Sequence, residues 1–152
     1  MPHEAKLRPY DHAADKEVIM ELWLRAWQAT LPRINFIERL EWFRWYWEVK
    51  LVPKTSIIVA EIDKIIVGFF TLDLATGYLD QLVVAPEQWG KDVAEQLLNE
   101  AKRLSPSGIE LRVNSDNPRA ARFYEKQNFK KVDELPNPDR PTEFTYVMQW
   151  RP

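Results

Sequence analysis

Apolar residues recur at helical spacing in four segments of the chain and form short strand-like runs in seven others. Helices are predicted at 11–29, 35–51, 90–104 and 117–127. Strands are predicted at 5–10, 56–62, 65–74, 77–84, 109–113, 129–133 and 142–150. The order βααβββαβαββ predicts an α/β (α+β) fold, in which a mixed, mostly antiparallel central sheet is flanked by helices on both faces.

The two N-terminal helices each have a predicted core face, and either Asp11 or Asp15 is expected to cap the first. The core face of the first helix comprises Val18, Ile19, Leu22, Trp23 and Ala26, and that of the second comprises Ile37, Leu40, Phe43 and Trp47. Asp63-Lys64 is expected to turn a hairpin, and prolines 136, 138 and 141 are expected to stiffen a loop.

Composition bounds the kind of protein and its partners. A chain of 152 residues fits a single domain, 1–152, and the net charge of −2 argues against a nucleic-acid surface. The absence of cysteine excludes a thiol nucleophile, a disulfide framework and a zinc ribbon, and it fits a cytoplasmic protein. With histidines only at His3 and His12, neither a metal site nor a histidine triad is expected. The N-terminus lacks an apolar signal core and IIVGFFTL (65–72) is too short to span a bilayer, so no membrane partner is expected.

The stretch APEQWGKDVAEQLL (85–98) connects a predicted strand to a predicted helix and has the outline of an anion-binding loop. A helix N-terminus leaves N–H groups unpaired, Gly90 permits close backbone approach, and Ala94 leaves room on the first turn. A plain connection between a strand and a helix would explain these residues equally well.

A second stretch, RVNSDNPRAARFYEKQNFKKV (112–132), together with VVAPEQWGKDVAEQLL resembles the GNAT superfamily of N-acetyltransferases. The resemblance covers nearly the whole chain, and its most specific parts are the P-x-x-x-G loop, the N-x-x-A-x-x-F-Y-E-K helix start and the aromatic residue at Phe129. It implies an enzyme that transfers an acetyl or other short acyl group from acetyl-CoA, its co-substrate, to a primary amine. Direct attack within a ternary complex is the implied mechanism.

The same resemblance implies roles for individual residues. Tyr124 would sit by the sulfur as general acid, and Asn117 would contact the cofactor. The remaining cofactor-binding residues would be Leu82, Val83 and Val84 along the strand, Trp89, Gly90, Lys91, Asp92, Val93 and Ala94 in the loop, and Ala120 and Tyr124 on the later helix.

The loop departs from the usual family pattern at Trp89 and Asp92, and Asn128 replaces a frequent glycine. A carboxylate about 5 Å from a pyrophosphate charge would cost about 3 kcal/mol at an effective dielectric near 20. Asp92 either points toward the anion or bonds its amides, or it points outward as a first-turn acid that stabilises the helix. Lys91 could offset its charge.

Proton transfer needs a group other than histidine, because no histidine lies in the middle of the chain. Asp80 is a candidate general base, on a strand face predicted to include Tyr78, Leu82 and Val84. It could equally be an exposed or paired strand acid. A backbone N–H near Val83 or Val84 would stabilise the oxyanion.

Aromatic residues crowd the second helix at EWFRWYWEV (41–49), and not all of them can face the core. Trp42, Trp45 and Tyr46, with Trp27, are the candidate wall of the acceptor site, although they could instead form a homodimer surface. Because the loop is atypical, a second function stays open: a non-catalytic acyl-CoA-binding or protein-interaction module.

Overall fold

The computed structural model describes residues 4–138 and 142–152. Its α-helices are α1 (His12–Thr30), α2 (Phe36–Tyr46), α3 (Val93–Leu104) and α4 (Pro118–Lys126), and a π-helical segment, Trp47–Leu51, extends α2. Its strands are β1 (Lys6–Pro9), β2 (Ser56–Ile62), β3 (Ile65–Asp73), β4 (Tyr78–Val84), β5 (Ile109–Asn114), β6 (Lys130–Pro136) and β7 (Phe144–Trp150). The predicted element order is confirmed; of the predicted proline loop, residues 139–141 lie outside the described residues.

The seven strands form one sheet in the order β1-β2-β3-β4-β5-β7-β6. Every neighbouring pair is antiparallel except β4 with β5. Asp63 and Lys64 both have positive φ, 51° and 66°, as a two-residue type I′ turn requires. The predicted hairpin between β2 and β3 is therefore present, and the mixed, mostly antiparallel sheet is confirmed.

Helices cover both faces of the sheet. Successive residues of β3 point to opposite faces and therefore contact different helices. Phe69 packs edge-to-face against Trp47 at the end of α2, with ring centroids 5.5 Å apart. Gly68 faces α3 so closely that an added Cβ would lie 2.9 Å from Leu97 Cδ1 and 3.4 Å from Val93 Cγ1. The α1–α2 layer thus packs on one face and α3 on the other.

Asp11, and not Asp15, caps the first helix, whereas Asp15 forms an ion pair. Asp11 is the N-cap of α1, and its Oδ1 accepts the Ala14 N–H at 3.3 Å. Asp15 is buried and takes two hydrogen bonds from the Arg8 guanidinium, at 2.7 and 3.0 Å, which hold the pKa of Asp15 below its ordinary value. That ion pair ties β1 to the first turn of α1.

Two residues predicted for the core lie on the surface instead. Val18 is 42% exposed and Ile37 is 67% exposed, whereas Met20 and Phe36 are buried in the same helices. Apolar residues occur all around α2, so spacing alone does not identify its buried face. The face is chosen by Trp23 of α1, whose ring lies 5.8 Å from that of Phe36 and stacks on Phe43 at 4.3 Å.

Candidate active site

The sheet opens between β4 and β5. Within the described ranges these strands share one parallel pair, Tyr78 with Glu110, beside a Glu110 N–H bond to Gly77 O at 3.0 Å. Further along, β5 stays paired with β7 as far as Asn114, while β4 continues to Val84 without a partner on that side. The second half of β4 therefore has an unpaired edge inside the sheet.

Backbone groups of β4 point into this gap. In an antiparallel pair, alternate residues bond to the partner strand and the others point away from it. The Ala85 N–H donates to Val67 O of β3 at 2.8 Å, so Val83 also faces β3 and Leu82 and Val84 face the gap. Their N–H and C=O groups can bond a ligand that lies along the strand.

β4 contains a bulge at Asp80, because Thr71 pairs with Gln81 while Leu72 pairs with Leu79. The extra residue shifts the alternation of side chains that follows it. The Gln81 N–H compensates for the break by donating to Thr71 Oγ1 at 3.1 Å.

The predicted common face of Asp80, Leu82 and Val84 is therefore wrong. Leu82 and Val84 lie opposite Phe70 and Gly68, on the α3 side of the sheet. Asp80 instead accepts a hydrogen bond from Tyr46 of α2 on the other side. The strand pattern could not show this, because a single-residue bulge leaves the run equally rich in strand formers.

A cleft of about 350 Å³ lies at the gap, bounded by residues of α1, β4 and α4. It brings together nine of the predicted cofactor-binding residues: Leu82, Val83, Val84, Trp89, Gly90, Ala94, Asn117, Ala120 and Tyr124. The other three are not in this lining: Lys91 and Asp92 are exposed along an adjoining groove, which shares Gln88 and Gly90 with the cleft, and the Val93 side chain is buried beside that groove. Trp27 also borders the cleft.

The first turn of α3 offers unpaired backbone amides beside the cleft. Asp92 is the N-cap of α3, but its carboxylate makes no capping hydrogen bond, so it does not occupy these amides. Gly90 has a φ of 78°, and an added Cβ there would meet no atom of the described residues within 4 Å. The positive end of the helix dipole thus opens onto accessible space, as an anion site requires.

Trp89 and Arg119 form one wall of the cleft. The indole Nε1 of Trp89 donates to Val84 O at 2.9 Å, and the Arg119 guanidinium carbon lies 3.8 Å from the centre of a Trp89 ring. This contact joins the loop to α4 by a cation–π interaction.

The cationic side of the cleft was not predicted. Arg119, Arg122 and Lys126 of α4 all line it. Their spacing of three and four residues places them on one face of the helix, so the signal was in the sequence but looked like an ordinary solvated face.

Tyr124 is buried at the cleft, with ring centroids of Phe123 and Phe129 5.3 and 5.4 Å from its own. Among the residues the structure describes, its hydroxyl has no hydrogen-bond partner. Burial raises the pKa of Tyr124 above its ordinary value, so the group keeps its proton through neutral and mildly alkaline pH. A buried, protonated hydroxyl of this kind can donate to a developing thiolate.

Asn117 also reaches the cleft, where it caps α4 through its side-chain oxygen, which accepts the Ala120 N–H at 3.4 Å. Asn117 and Pro118 thus begin the helix in the way their residue types favour, with the cap followed by proline at the first helical position.

Asp80 lies in a small polar cluster beside the gap. Tyr46 O–H donates to its Oδ2, and Gln81 Nε2 donates to its Oδ1 at 2.8 Å. Burial and the bond to the carboxylate raise the pKa of Tyr46 above its ordinary value. The Trp42 ring stacks on Tyr46 at 5.0 Å, which links this cluster to the aromatic residues of α2.

A second pocket, of about 490 Å³, shares Trp27 with the cleft. It is lined by Trp23, Trp27, Leu31, Phe36, Arg39, Trp42, Gln81 and Asn114. Trp27 and Trp42 of the predicted acceptor wall are therefore part of it, and Tyr46 adjoins it through Trp42. Trp45 is not: it is 50% exposed, with Lys50 Nζ 5.7 Å from its ring centre.

Comparison with protein families places the chain in a known family. The model of the acetyltransferase (GNAT) family matches residues 16–129, which span both the loop at α3 and the whole of α4. The chain belongs to the GNAT acetyltransferase family. The protein is thus a GNAT-family acetyltransferase, and the resemblance noted in the sequence is confirmed.

Solved structures share the fold of this GNAT protein along nearly its whole length. They include the PaiA N-acetyltransferase of Thermoplasma acidophilum in complex with coenzyme A (21% identity, 97% of this chain and 99% of that chain, TM-score 0.76). The apo form of YjaB from Escherichia coli is similar (22% identity, 96% of this chain and 97% of that chain, TM-score 0.77). A chimera of the Vibrio cholerae spermidine N-acetyltransferase SpeG is also similar (23% identity, 97% of this chain and 95% of that chain, TM-score 0.69). No protein with curated annotation matches the sequence significantly.

Across residues 4–138 and 142–152, no group of three or more His, Cys, Asp or Glu side chains could hold a metal ion. In the same ranges, no helix is both long enough and apolar enough to cross a bilayer.

Proposed function

We propose that this GNAT protein, acting as one domain over residues 1–152, transfers the acetyl group of acetyl-CoA to a primary amine by direct attack within a ternary complex. One observation carries the proposal: the unpaired edge of β4 at Leu82 and Val84 borders the same cleft as the buried Tyr124, whose hydroxyl has no hydrogen-bond partner among the described residues. Such a cleft offers donors for an oxyanion and a proton for a leaving thiolate.

The cleft fits the parts of acetyl-CoA in order. Its pyrophosphate would meet the first-turn amides of α3 beside Gly90, with the α4 cations Arg119, Arg122 and Lys126 adding positive charge. The pantetheine amides would bond to the groups of Leu82 and Val84 that face the gap. Trp89 already donates to Val84 O, so a ligand amide that uses this carbonyl either takes its second lone pair or displaces the indole.

The transfer forms one bond and breaks one. The amine nitrogen attacks the thioester carbon, the C–N bond forms, and the C–S bond breaks. The Val84 N–H stabilises the oxyanion, Tyr124 gives its proton to the thiolate, and Asp80 accepts the proton lost by the amine, directly or through water. Tyr124 then recovers a proton from solvent, and the base role of Asp80 stays a prediction.

Thermal unfolding with acetyl-CoA, followed by a thiol-release assay with amines, tests this proposal. With acetyl-CoA at about 100 times its Kd, the free energy of unfolding of the desalted protein rises by about 2.7 kcal/mol, which raises the Tm by roughly 5–10 °C. A rise in Tm together with amine-dependent release of CoA supports the transferase. A rise in Tm without release for any amine would instead support a non-catalytic acyl-CoA-binding module, and no rise would contradict both functions.

Asp92→Gly is expected to tighten acetyl-CoA binding by less than tenfold, because Asp92 is exposed, does not cap the amides and lies outside the cleft lining. Glycine is tolerated at an N-cap, so the helix should persist. Isothermal titration of both proteins measures the difference. A gain near a hundredfold would mean that the carboxylate faces the pyrophosphate when the ligand binds.

Arg119→Ala is expected to weaken acetyl-CoA binding by about 5- to 30-fold, since a partly exposed charge-assisted contact contributes roughly 1–2 kcal/mol. The loss should shrink as ionic strength rises. Arg103→Ala is the matched control, because Arg103 lies near the end of α3, paired with Glu100 and away from the cleft. Equal effects of the two variants would remove Arg119 from the binding site.

A further inference from the structure

The second pocket adjoins the proposed acetyl-CoA cleft, and its lining indicates which amines it accepts. Its volume of about 490 Å³ lies within the roughly 300–1,000 Å³ typical of ligand pockets. Gln81, which lines it, bonds to Asp80 and precedes Leu82 on β4. The pocket therefore adjoins both the proposed base, Asp80, and the strand edge where transfer is proposed.

Four of the eight residues that line the pocket are aromatic. Trp27 stacks on Phe36 at 5.9 Å, Trp23 meets Phe36 edge-to-face at 5.8 Å, and Trp42 stacks on Tyr46 at 5.0 Å. Trp27 is half-buried and Trp42 is 55% exposed, so both keep ring surface for a ligand. Flat apolar surfaces of this kind suit an aromatic or aliphatic body.

One cation borders these rings without a carboxylate partner. The Arg39 guanidinium lies 5.6 Å from the Phe36 ring centre, and it forms no ion pair with any described residue. The other arginines of α1 and α2 are paired: Arg25 with Glu87 at 2.8 Å and Arg44 with Glu17 at 2.9 Å. Arg39 is thus available to an anionic group of a ligand.

The remaining polar lining is neutral. Gln81 and Asn114 supply amide groups, and no carboxylate lines the pocket in the part of the chain that the structure describes. Aromatic walls alone would also suit a cationic ligand. Arg39, however, repels a second positive charge placed in the same pocket, so a polyamine is a poor match.

We propose that the acceptor is a primary amine that also carries an apolar or aromatic body and a carboxylate, with the body between Trp27 and Trp42 and the carboxylate on Arg39. The inference rests on the proposed amine acetyltransferase function and names its substrate class. A guanidinium binds a carboxylate through two parallel hydrogen bonds, and a lysine at the same position could not reproduce that geometry. A free amino acid and a short peptide both have this chemistry.

Matched substrate pairs test the proposal. The first pair is L-phenylalanine and phenethylamine, and the second is glycyl-L-phenylalanine and its C-terminal amide; spermidine serves as the polyamine. In at least one pair the carboxylate form should have a kcat/KM about 10- to 100-fold above its partner, which corresponds to one charged hydrogen-bonded contact. The pair that responds distinguishes an amino acid from a peptide.

Arg39→Gln should bring that kcat/KM ratio close to one, and Arg39→Lys should give an intermediate value. Arg103→Gln, the same change on an arginine outside both pockets, should leave the ratio as in the wild type. A preference for the uncharged partners or for spermidine, or a ratio that survives Arg39→Gln, overturns the substrate class while leaving the transferase standing. Absence of CoA release with every amine overturns the proposed function, and this inference with it.

Discussion

Tyr124→Phe is expected to lower kcat for acetyl transfer by about a hundredfold or more, because general acids typically contribute 10²- to 10⁴-fold. The ring contacts to Phe123 and Phe129 do not involve the hydroxyl, so the fold and acetyl-CoA binding should persist. Steady-state kinetics with a saturating amine measure the loss, and titration calorimetry checks that the Kd for acetyl-CoA is little changed.

The pH profile gives this prediction a direction. A general acid works in its protonated form, and burial raises the pKa of Tyr124 above the ordinary value of about 10. The wild-type rate should therefore not fall through loss of this proton until the pH exceeds about 10, and the deficit of the variant should be similar from pH 6 to 9.

Tyr146→Phe is the matched control, since Tyr146 lies on β7 and does not line the cleft. If Tyr124→Phe kept wild-type kcat at every pH, water or another group would have to protonate the thiolate, and the assignment of Tyr124 as the acid would be wrong.

Gly77→Ala is expected to destabilise the fold by about 2–4 kcal/mol and to lower the Tm by roughly 5–15 °C. Gly77 has a φ of 76°, and an added Cβ would lie 2.6 Å from the carbonyl oxygen of Gly108. The contact involves two backbones, so no flexible side chain can move aside. Gly77 lies at the closed end of the gap between β4 and β5, where the Glu110 N–H donates to Gly77 O.

Gly90→Ala separates the two contributions to the loss of stability, which are backbone strain at positive φ and the clash with Gly108 O. Gly90 has nearly the same φ, 78°, but an added Cβ would meet nothing within 4 Å among the described residues. The backbone strain alone should cost about 1 kcal/mol and lower the Tm by no more than about 4 °C. Equal Tm losses for both variants, measured by differential scanning calorimetry, would show that the clash at Gly108 O does not contribute.

Much of the fold could be predicted because local signals and the global arrangement agree. Asp63-Lys64 adopts the turn that its hairpin needs, and Asn117-Pro118 begins α4 as that residue pair favours. The face of α2 could not be predicted in the same way. Ile37 has the right spacing, but Trp23 of α1 packs with Phe36 instead, and that choice depends on a neighbouring helix.

The candidate site was predictable where it depends on backbone and motif, and not where it depends on neighbouring side chains. Gly90 and Tyr124 could be assigned to a cleft from their positions in motifs, and both line it. The bulge at Asp80 reverses a face without changing the composition of β4. Arg119 meets Trp89, and Arg39 borders the pocket, only because separate elements come together. Contacts between separate elements leave no periodic pattern in the sequence from which they could be predicted.

The single β4–β5 pair also has a consequence for how the molecule folds and opens. It divides the sheet into a four-stranded half, β1 to β4, and a three-stranded half, β5 with β7 and β6. Hairpins along the chain join β2, β3 and β4 of the first half, and β1 pairs with β2 across the two N-terminal helices, whereas joining the second half to the first requires the crossover through α3. The boundary between these cooperative units coincides with the cleft. Widening the cleft to admit acetyl-CoA can therefore proceed with the ladders inside each half intact, and only the amides at the seam should exchange their hydrogens early.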